Sequence, residues 1–493
     1  MPENSSPTIS GSNTNPWAWA LLLFLLGLTL RLIPVLASPN LGIGLDDMFQ
    51  YDMLARSLAE GEGFRWYAAE DLRLVRDTFQ QLTDRGLSVP ADMDPEGVRT
   101  SFRAPLYPAF LSLIYRSVEL ANRFFAARIV QAAVMATLGP LAFLLARELS
   151  ARFHYSLAAG LLVTTWPLLV SLPLALATEN LFLPLTAAGT LLLLRKEQGG
   201  SRWLPVFAGV TFGMAALTRS VILGFPALVA AWYWLRGERR QAALLVLPII
   251  LMAAPWAVRN SLLHGQPTMI ESSLGYNLYL GYHPENNGTF KFGPSLDLIT
   301  ILDDAERDLV GRAQALAFIR QDPLRVPELM LWKLGHFWGL EDRAFSYLYS
   351  NSLLGDWPPA LVAGTLVFIS VPLMISLPLA LAAWSMTQRD RAWQLLTLLF
   401  TWYIGIHLLI MAEERFHLAL LPMMVGLAAR GLSQWPQVRR RLKMGDPVMR
   451  RRLLLAGLLV MLAFANWGLE IGRNFEQYRT LIQPGGWQIG LHY

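Results

Sequence analysis

Cysteine is absent from all 493 residues. That excludes disulfides, thiol nucleophiles and zinc–thiolate sites together. Histidine is scarce too, at 7 residues, and no H-x-x-H or H-E-x-x-H spacing occurs, so no strong metal motif is present. Charge is the third shortage. Charged residues make up 16% of the chain, against about 25% in soluble domains. With 54% hydrophobic residues, such a chain cannot wrap its apolar content in a polar surface. Disordered, collagen-like and coiled-coil classes are excluded by the same composition. Neither a G-x-x-x-x-G-K-[ST] loop nor a Rossmann fingerprint is found, and nothing suggests a nucleic-acid partner.

What is abundant is apolar sequence in runs. A helix needs about 20 residues to cross a bilayer. Eleven candidate runs lie near 17–37, 126–146, 155–172, 178–194, 203–218, 221–235, 241–257, 358–386, 392–411, 416–434 and 453–469. The run 221–235 is short enough for a shallow or re-entrant hairpin. The first run lacks an A-x-A-like cleavage site and reads as a retained anchor. The predicted fold class is an all-α integral membrane protein, a polytopic bundle of about 11 transmembrane helices. The 17 Trp suit two membrane interfaces.

The short loops carry the orientation. RELSARFH (147–154), RKEQGGSR (195–202), RGERR (236–240), TQRDR (387–391) and WPQVRRRLKMGDPVMRRR (435–452) are all basic, and alternating spans put them on one side. Positive-inside makes that side cytoplasmic, with the N-terminus there and the C-terminus outside. The arginine run of 435–452 fits a topology signal better than a headgroup site. Two long segments, 38–125 and 258–357, fall outside. The expected organisation is one membrane module over 1–435 with those outer loops, followed by 436–493 as a basic cytoplasmic loop, a last span and an outer tail.

Charged residues at the outer membrane edge are functional suspects, because they are costly there. Asp46 and Asp47 are adjacent acids at the start of an amphipathic stretch continuing through Tyr51, Leu54 and Leu58. One Asp suffices as a helix cap; two suit a general base or a metal ligand. Arg103 precedes the turn Pro105-Leu106-Tyr107-Pro108, where a guanidinium suits phosphate. Glu179 enters a span in ALATENLFLPL, with Arg219 or a substrate hydroxyl as its partner. Arg219 itself sits in a tight outer turn. Arg259 and Asn260 leave a span. Beyond them, Gly275, Gly281 and Gly288 with Asn277 and Asn287 make turns able to bring backbone N–H groups to a ligand. His283 is a loop histidine that could ligate a metal or simply hydrogen-bond. Glu413, Glu414 and Arg415 lie at another outer edge, as a local ion pair or as a further cation for an anionic headgroup. Acids that deprotonate a hydroxyl and arginines that hold a phosphate thus border one side. Nucleotide sugars are not expected there, so an activated donor would arrive in the membrane, linked to a lipid phosphate.

The ordered motifs D-x-x-x-Y with LARSLAEGEGF, then FRAPLYP, TENLF, LTR, PWAVRN and ERFHLALLP resemble the bacterial GT-C glycosyltransferases. Those are relatives of the protein O-mannosyltransferases and of the aminoarabinose transferase that modifies lipid A. The resemblance runs from about residue 20 to 435. It implies a GT-C bundle with interfacial helices in the first outer loop and a polyprenyl-phosphate monosaccharide as donor. It also implies inversion at the anomeric carbon and a lipid, glycan or protein acceptor, in the inner membrane of a bacterium. It assigns Asp47 as the base with Asp46 beside it, Glu179 as a second acid near the sugar, and Arg103 to the donor phosphate. Arg219, Arg259 and Arg415 are further phosphate candidates. Tyr51, Tyr107, Asn260, Asn277, His283 and Glu414 are substrate-binding candidates. The Asp-Asp pair departs from the family's frequent Asp-Glu, which leaves a divalent metal open; no other cofactor is expected. The expected absence of the soluble C-terminal domain of some relatives leaves acceptor recognition to the outer loops. The rival reading is a transporter or flippase of a lipid-linked saccharide, against which the lack of an internal repeat counts. A ligase or polymerase using lipid-diphosphate donors, and a structural subunit, are weaker rivals.

Overall fold

A computed structural model describes residues 15–44, 47–66, 97–298, 301–351 and 354–490. Among these residues the chain is almost wholly helical. Its single ribbon pairs Arg65–Trp66 with Val98–Arg99, antiparallel. The expected class, an all-helical polytopic membrane bundle, is the architecture found. Among the described residues, seven helices are long and apolar enough to cross a membrane, and an eighth if Phe153–Thr164 and Pro167–Leu174, bent by 52°, form one span. The other runs read as spans are helical as well. Leu204–Thr218 and Ser220–Leu235 are short, and Glu179–Glu197 carries Glu179 at one end with Arg195, Lys196 and Glu197 at the other.

Local chemistry sets several boundaries. Pro16 opens the first span behind Asn15, whose side chain accepts from the Trp17 N–H. Asp390 caps the helix Arg391–Leu409, and Asp446 caps Pro447–Arg473. Each uses a carboxylate where free N–H groups and the helix dipole favour one. Arg239–His264 ends at Gly265, whose φ of 63° is left-handed and suits glycine.

Packing inside the bundle relies on small residues, as expected where lipid removes the hydrophobic drive between helices. Gly209 and Gly213, four apart, set Leu204–Thr218 against Arg239–His264. A Cβ on Gly209 would sit 2.3 Å from the Leu245 carbonyl oxygen, and one on Gly213 would sit 2.8 Å from Met252 Sδ. Trp166, Phe182, Phe212, Tyr233, Phe337 and Tyr403 fill the core with at most 1% exposure. The span Glu414–Lys443 is enclosed by protein over 89% of its apolar window, and Pro447–Arg473 over only 11%. The first is the central post of the bundle, and the second faces outward.

The bundle has two chemically distinct ends. At one, the basic loops meet through Arg195–Glu148, Lys196–Glu238 and Arg391–Glu197 ion pairs. The helix Glu179–Glu197 runs from there to the other end, about 27 Å at 1.5 Å per residue. At that far end the long segments dock on each other. Thr100 and the Ser101 N–H donate to Asp304, and the Ser272 N–H donates to the Ser101 carbonyl.

Candidate functional site

Leu41 and Gly42, ahead of the helix Asp47–Glu60, are fixed by a buried arginine. Arg128, fully buried, donates to the carbonyls of Leu41, Gly42 and Leu174. Within the helix, Asp52 is 1% exposed and takes Arg56 at 3.0 Å and Arg123 at 2.7 Å. That clamp ties it to Arg123–Met135. Tyr51 packs edge-on to Tyr107 at 5.0 Å, joining it to Leu106–Tyr115. The first turn, with Asp47, is thereby held rigidly at the far end of the bundle.

Asp47 is the centre of the site. One carboxylate oxygen accepts from Arg103, and the other lies 3.5 Å from Arg415. Its side chain keeps 37% of its surface open, so it is accessible while paired. Arg103 also donates to Gln50 at 2.8 Å and lies over the rings of Phe102 and Tyr51. Arg415 also holds Glu413 at 2.9 Å. Burial pushes the Asp47 carboxyl up, but Arg103, Arg415 and Arg219 together hold it below the ordinary carboxylate range. Burial raises the Tyr51 phenol to about 12, so it stays neutral.

A second pair stands beside this centre. Arg219 donates to Glu179 at 2.6 Å, and Thr178 donates to the other oxygen of Glu179 at 3.2 Å. Glu179 is 4% exposed. The Arg219 guanidinium lies 5.1 Å from the Phe416 ring, on the same turn that carries Arg415. The cation partner weighed for Glu179 from its depth is therefore Arg219. The local partner weighed for Arg415 is Glu413, and Asp47 is its long-range one.

Other candidates fall elsewhere. Arg259 donates to the carbonyls of Thr100 and Phe64 and to the Asn260 side chain; it fastens the ribbon to the helix Arg239–His264. Asn260 is fully buried and spends its amide on Met269 and Ile270. Tyr107 is fully buried and donates to Gln131. His283 packs on Tyr279 and Phe318, its Nδ1 accepting from the Glu285 N–H. Asn277 lies in the helix Leu274–Tyr282, which packs on Asp304–Gln321. Glu414 sits with Asp342 and Glu470. Asp46 lies outside the described residues.

One expectation is corrected. Gly275 and Gly281 serve close helix packing. A Cβ on either would lie 1.9 Å from a carbonyl oxygen, of Asp308 and Ile410 respectively. Gly288, at φ +91°, is the one that makes a turn, and its carbonyl accepts from the Ala412 N–H. Sequence reasoning also passed over residues near the centre. Tyr276 packs on Phe102 at 5.6 Å, and Glu271 accepts from the Ser220 N–H at 3.1 Å, beside Arg219. Glu271 had a signal, as the lone acid next to Met269 and Ile270 in PTMIESS; Tyr276 had none.

A polytopic helical membrane protein with acids and arginines gathered at one end is thus the class defined. Residues 103–258 match the family model described as dolichyl-phosphate-mannose-protein mannosyltransferase. That stretch, about a third of the chain, carries Arg103, Glu179 and Arg219 and stops short of Asp47 and Arg415. No curated protein matches the chain. The matched segment supports, at the coarse level, a membrane glycosyltransferase with a polyprenyl-phosphate-sugar donor.

Proposed function

We propose that the protein transfers a monosaccharide from a polyprenyl-phosphate donor to a hydroxyl on a lipid, glycan or protein. In this reading the far end of the bundle faces away from the cytoplasm, as the basic loops at the opposite end suggest. The observation that carries the proposal is the convergence of Arg103 and Arg415, from two distant segments, on one accessible carboxylate.

The chemistry follows from competition for the arginines. A donor phosphate offers several anionic oxygens to guanidiniums that favour bidentate contact. Arg415, at 3.5 Å the looser partner of Asp47, is the easier to recruit. As the arginines turn to phosphate, Asp47 is less strongly held as an anion and becomes a better base. The acceptor oxygen bonds to the anomeric carbon while its proton passes to Asp47. The bond from that carbon to the phosphate oxygen breaks, and its electron pair stays on the phosphate, where the arginines offset the charge. Attack opposite the leaving phosphate inverts the centre.

The test is transfer by purified protein from a panel of radiolabelled polyprenyl-phosphate monosaccharides, with Asp47→Asn alongside. Sugar transfer or donor hydrolysis that disappears in the variant supports the proposal and names the donor. Stable binding of a lipid-linked saccharide with no consumption of any donor would replace it with the flippase reading.

A further inference from the structure

Arg103 reaches the site from outside the helix Asp47–Glu60, yet the first turn of that helix grips it twice. Asp47 accepts from Nη2, and Gln50 accepts from Nε at 2.8 Å. Residues three apart share a helix face, so the two acceptors meet the same edge of the guanidinium. The rings of Tyr51 and Phe102 lie 5.4 and 5.0 Å from its centre. Nη1 finds no acceptor among the described residues. One edge of Arg103 is thus held by protein, and the edge that includes Nη1 is left for a ligand such as phosphate.

The two acceptors differ in what the reaction does to them. In the proposed transfer Asp47 takes the proton of the attacking hydroxyl, and its ion pair with Arg103 is lost at that moment. The Gln50 amide does not titrate, so its carbonyl holds Nε before and after. Being neutral, it also leaves the charge of Arg103 undiminished. A carboxylate in its place would compete with phosphate for that charge. It would also raise the Asp47 carboxyl by like-charge repulsion.

We propose that Gln50 is a positioning residue for sugar transfer. Its carbonyl keeps Arg103 aimed at the donor phosphate while Asp47 carries the proton, and its neutrality reserves the guanidinium charge for that phosphate. The inference rests on the transferase reading and deepens it.

The experiment uses the full chain in detergent, with the polyprenyl-phosphate sugar that the parent consumes. Two variants are compared with it for kcat, donor KM, pH profile and thermal midpoint. Gln50→Met keeps the length of the side chain and removes the acceptor. Its kcat should fall about 10–100-fold, the range a hydrogen bond to a charged group commonly carries, with the midpoint unchanged. Gln50→Glu keeps the acceptor and adds a charge. Its kcat above the acid limb should stay near the parent's, while donor KM rises about tenfold because an anion now stands beside the phosphate. Both variants should move the acid limb of kcat/KM upward. In Gln50→Met Arg103 sits more loosely on Asp47, and in Gln50→Glu a second acid stands next to it. A Gln50→Met protein with the parent's kcat and an unmoved limb overturns the inference, as does a change confined to the thermal midpoint. If Gln50→Met does not fold, Gln50→Glu decides: an unchanged donor KM with an unmoved limb overturns it. A parent inactive on every donor overturns the transferase reading and this inference with it, whereas an active parent matched by its variants overturns this inference alone.

Discussion

Arg415 and Arg441 expose the same share of their side chains, 44%, and each holds a carboxylate. Their arrangements differ completely. Arg441 closes on Asp446, five residues ahead, with two contacts at 2.7 and 2.6 Å, and Asp446 caps the following helix. Arg415 divides itself between Glu413 next door and Asp47, far away in the chain. The same contrast separates the two ends of the bundle. At the basic-loop end, Lys196 and Arg391 are held between Glu197 and Glu238, and that network encloses an acid: the Glu197 side chain is fully buried. At the other end, two guanidiniums share one accessible acid. Charge shared around an enclosed acid staples loops, whereas charge shared around an open one can change partners when a phosphate arrives.

The sharpest way to break the comparison is Asp47→Asn. The side chain keeps its size and loses its charge and basicity. Transfer is expected to fall by at least 10³-fold, while the thermal midpoint stays within a few degrees because the Asp52 clamp and the Tyr51–Tyr107 contact are untouched. Full turnover by a folded variant would exclude Asp47 as base.

Next in size is Arg103→Gln. Loss of one preorganised charge partner in a transition state costs about 10²–10³ in rate, and Arg103 is the tighter of the two on Asp47. The pH profile sharpens this. Burial raises the Asp47 carboxyl, and the arginines outweigh it, so its folded value lies below 3.8. Its pairing therefore stabilises the fold above the unfolded value and is lost as pH falls through the folded one. The acid limb of activity in the free enzyme should likewise lie below pH 3.8. Arg103→Gln should move that limb upward. A limb that does not move would mean that Asp47 is not the titrating group.

Third is the pair beside the centre. Glu179→Gln leaves Arg219 without its partner in a mostly buried place, at a cost of about 3 kcal/mol. Arg219→Gln added to it should recover part of that stability, read as denaturation of the detergent-solubilised protein. If Glu179 also serves the sugar, transfer should stay low in the double variant. Recovery of both would reduce the pair to a staple.

How much of this was legible depends on the distance in sequence. Apolar runs and basic loops are local patterns, and the helices follow them closely. Glu179 with Arg219 was readable because two opposite charges at one membrane edge have few other partners. Arg259 stood out for a similar reason. A lone arginine leaving a span looks like a phosphate ligand, and only the ribbon at Phe64 and Thr100 shows where its donors go. The packing of Gly275 and Gly281 against carbonyls of Asp308 and Ile410 needs partners that no spacing announces. The meeting of Glu414 with Asp342 and Glu470 is hidden likewise, since those residues share no periodicity.

The smallest expected effect is the most direct test of the contrast between the ends. Arg441→Gln removes a guanidinium as exposed as that of Arg415 and with closer contacts to its acid. If exposure and contact distance set importance, it should matter more. Exposed ion pairs commonly contribute nothing measurable, and Asp446 still caps its helix through the Val448 and Met449 N–H groups. No change in transfer and no resolvable change in thermal midpoint are expected. Arg415→Gln, measured in the same assay, should lose about 10² in rate, because its second partner is the proposed base and its charge is the one a phosphate would take up. Equal losses from the two variants would mean that both ends serve stability alone, and the division of Arg415 between Glu413 and Asp47 would then carry no chemistry.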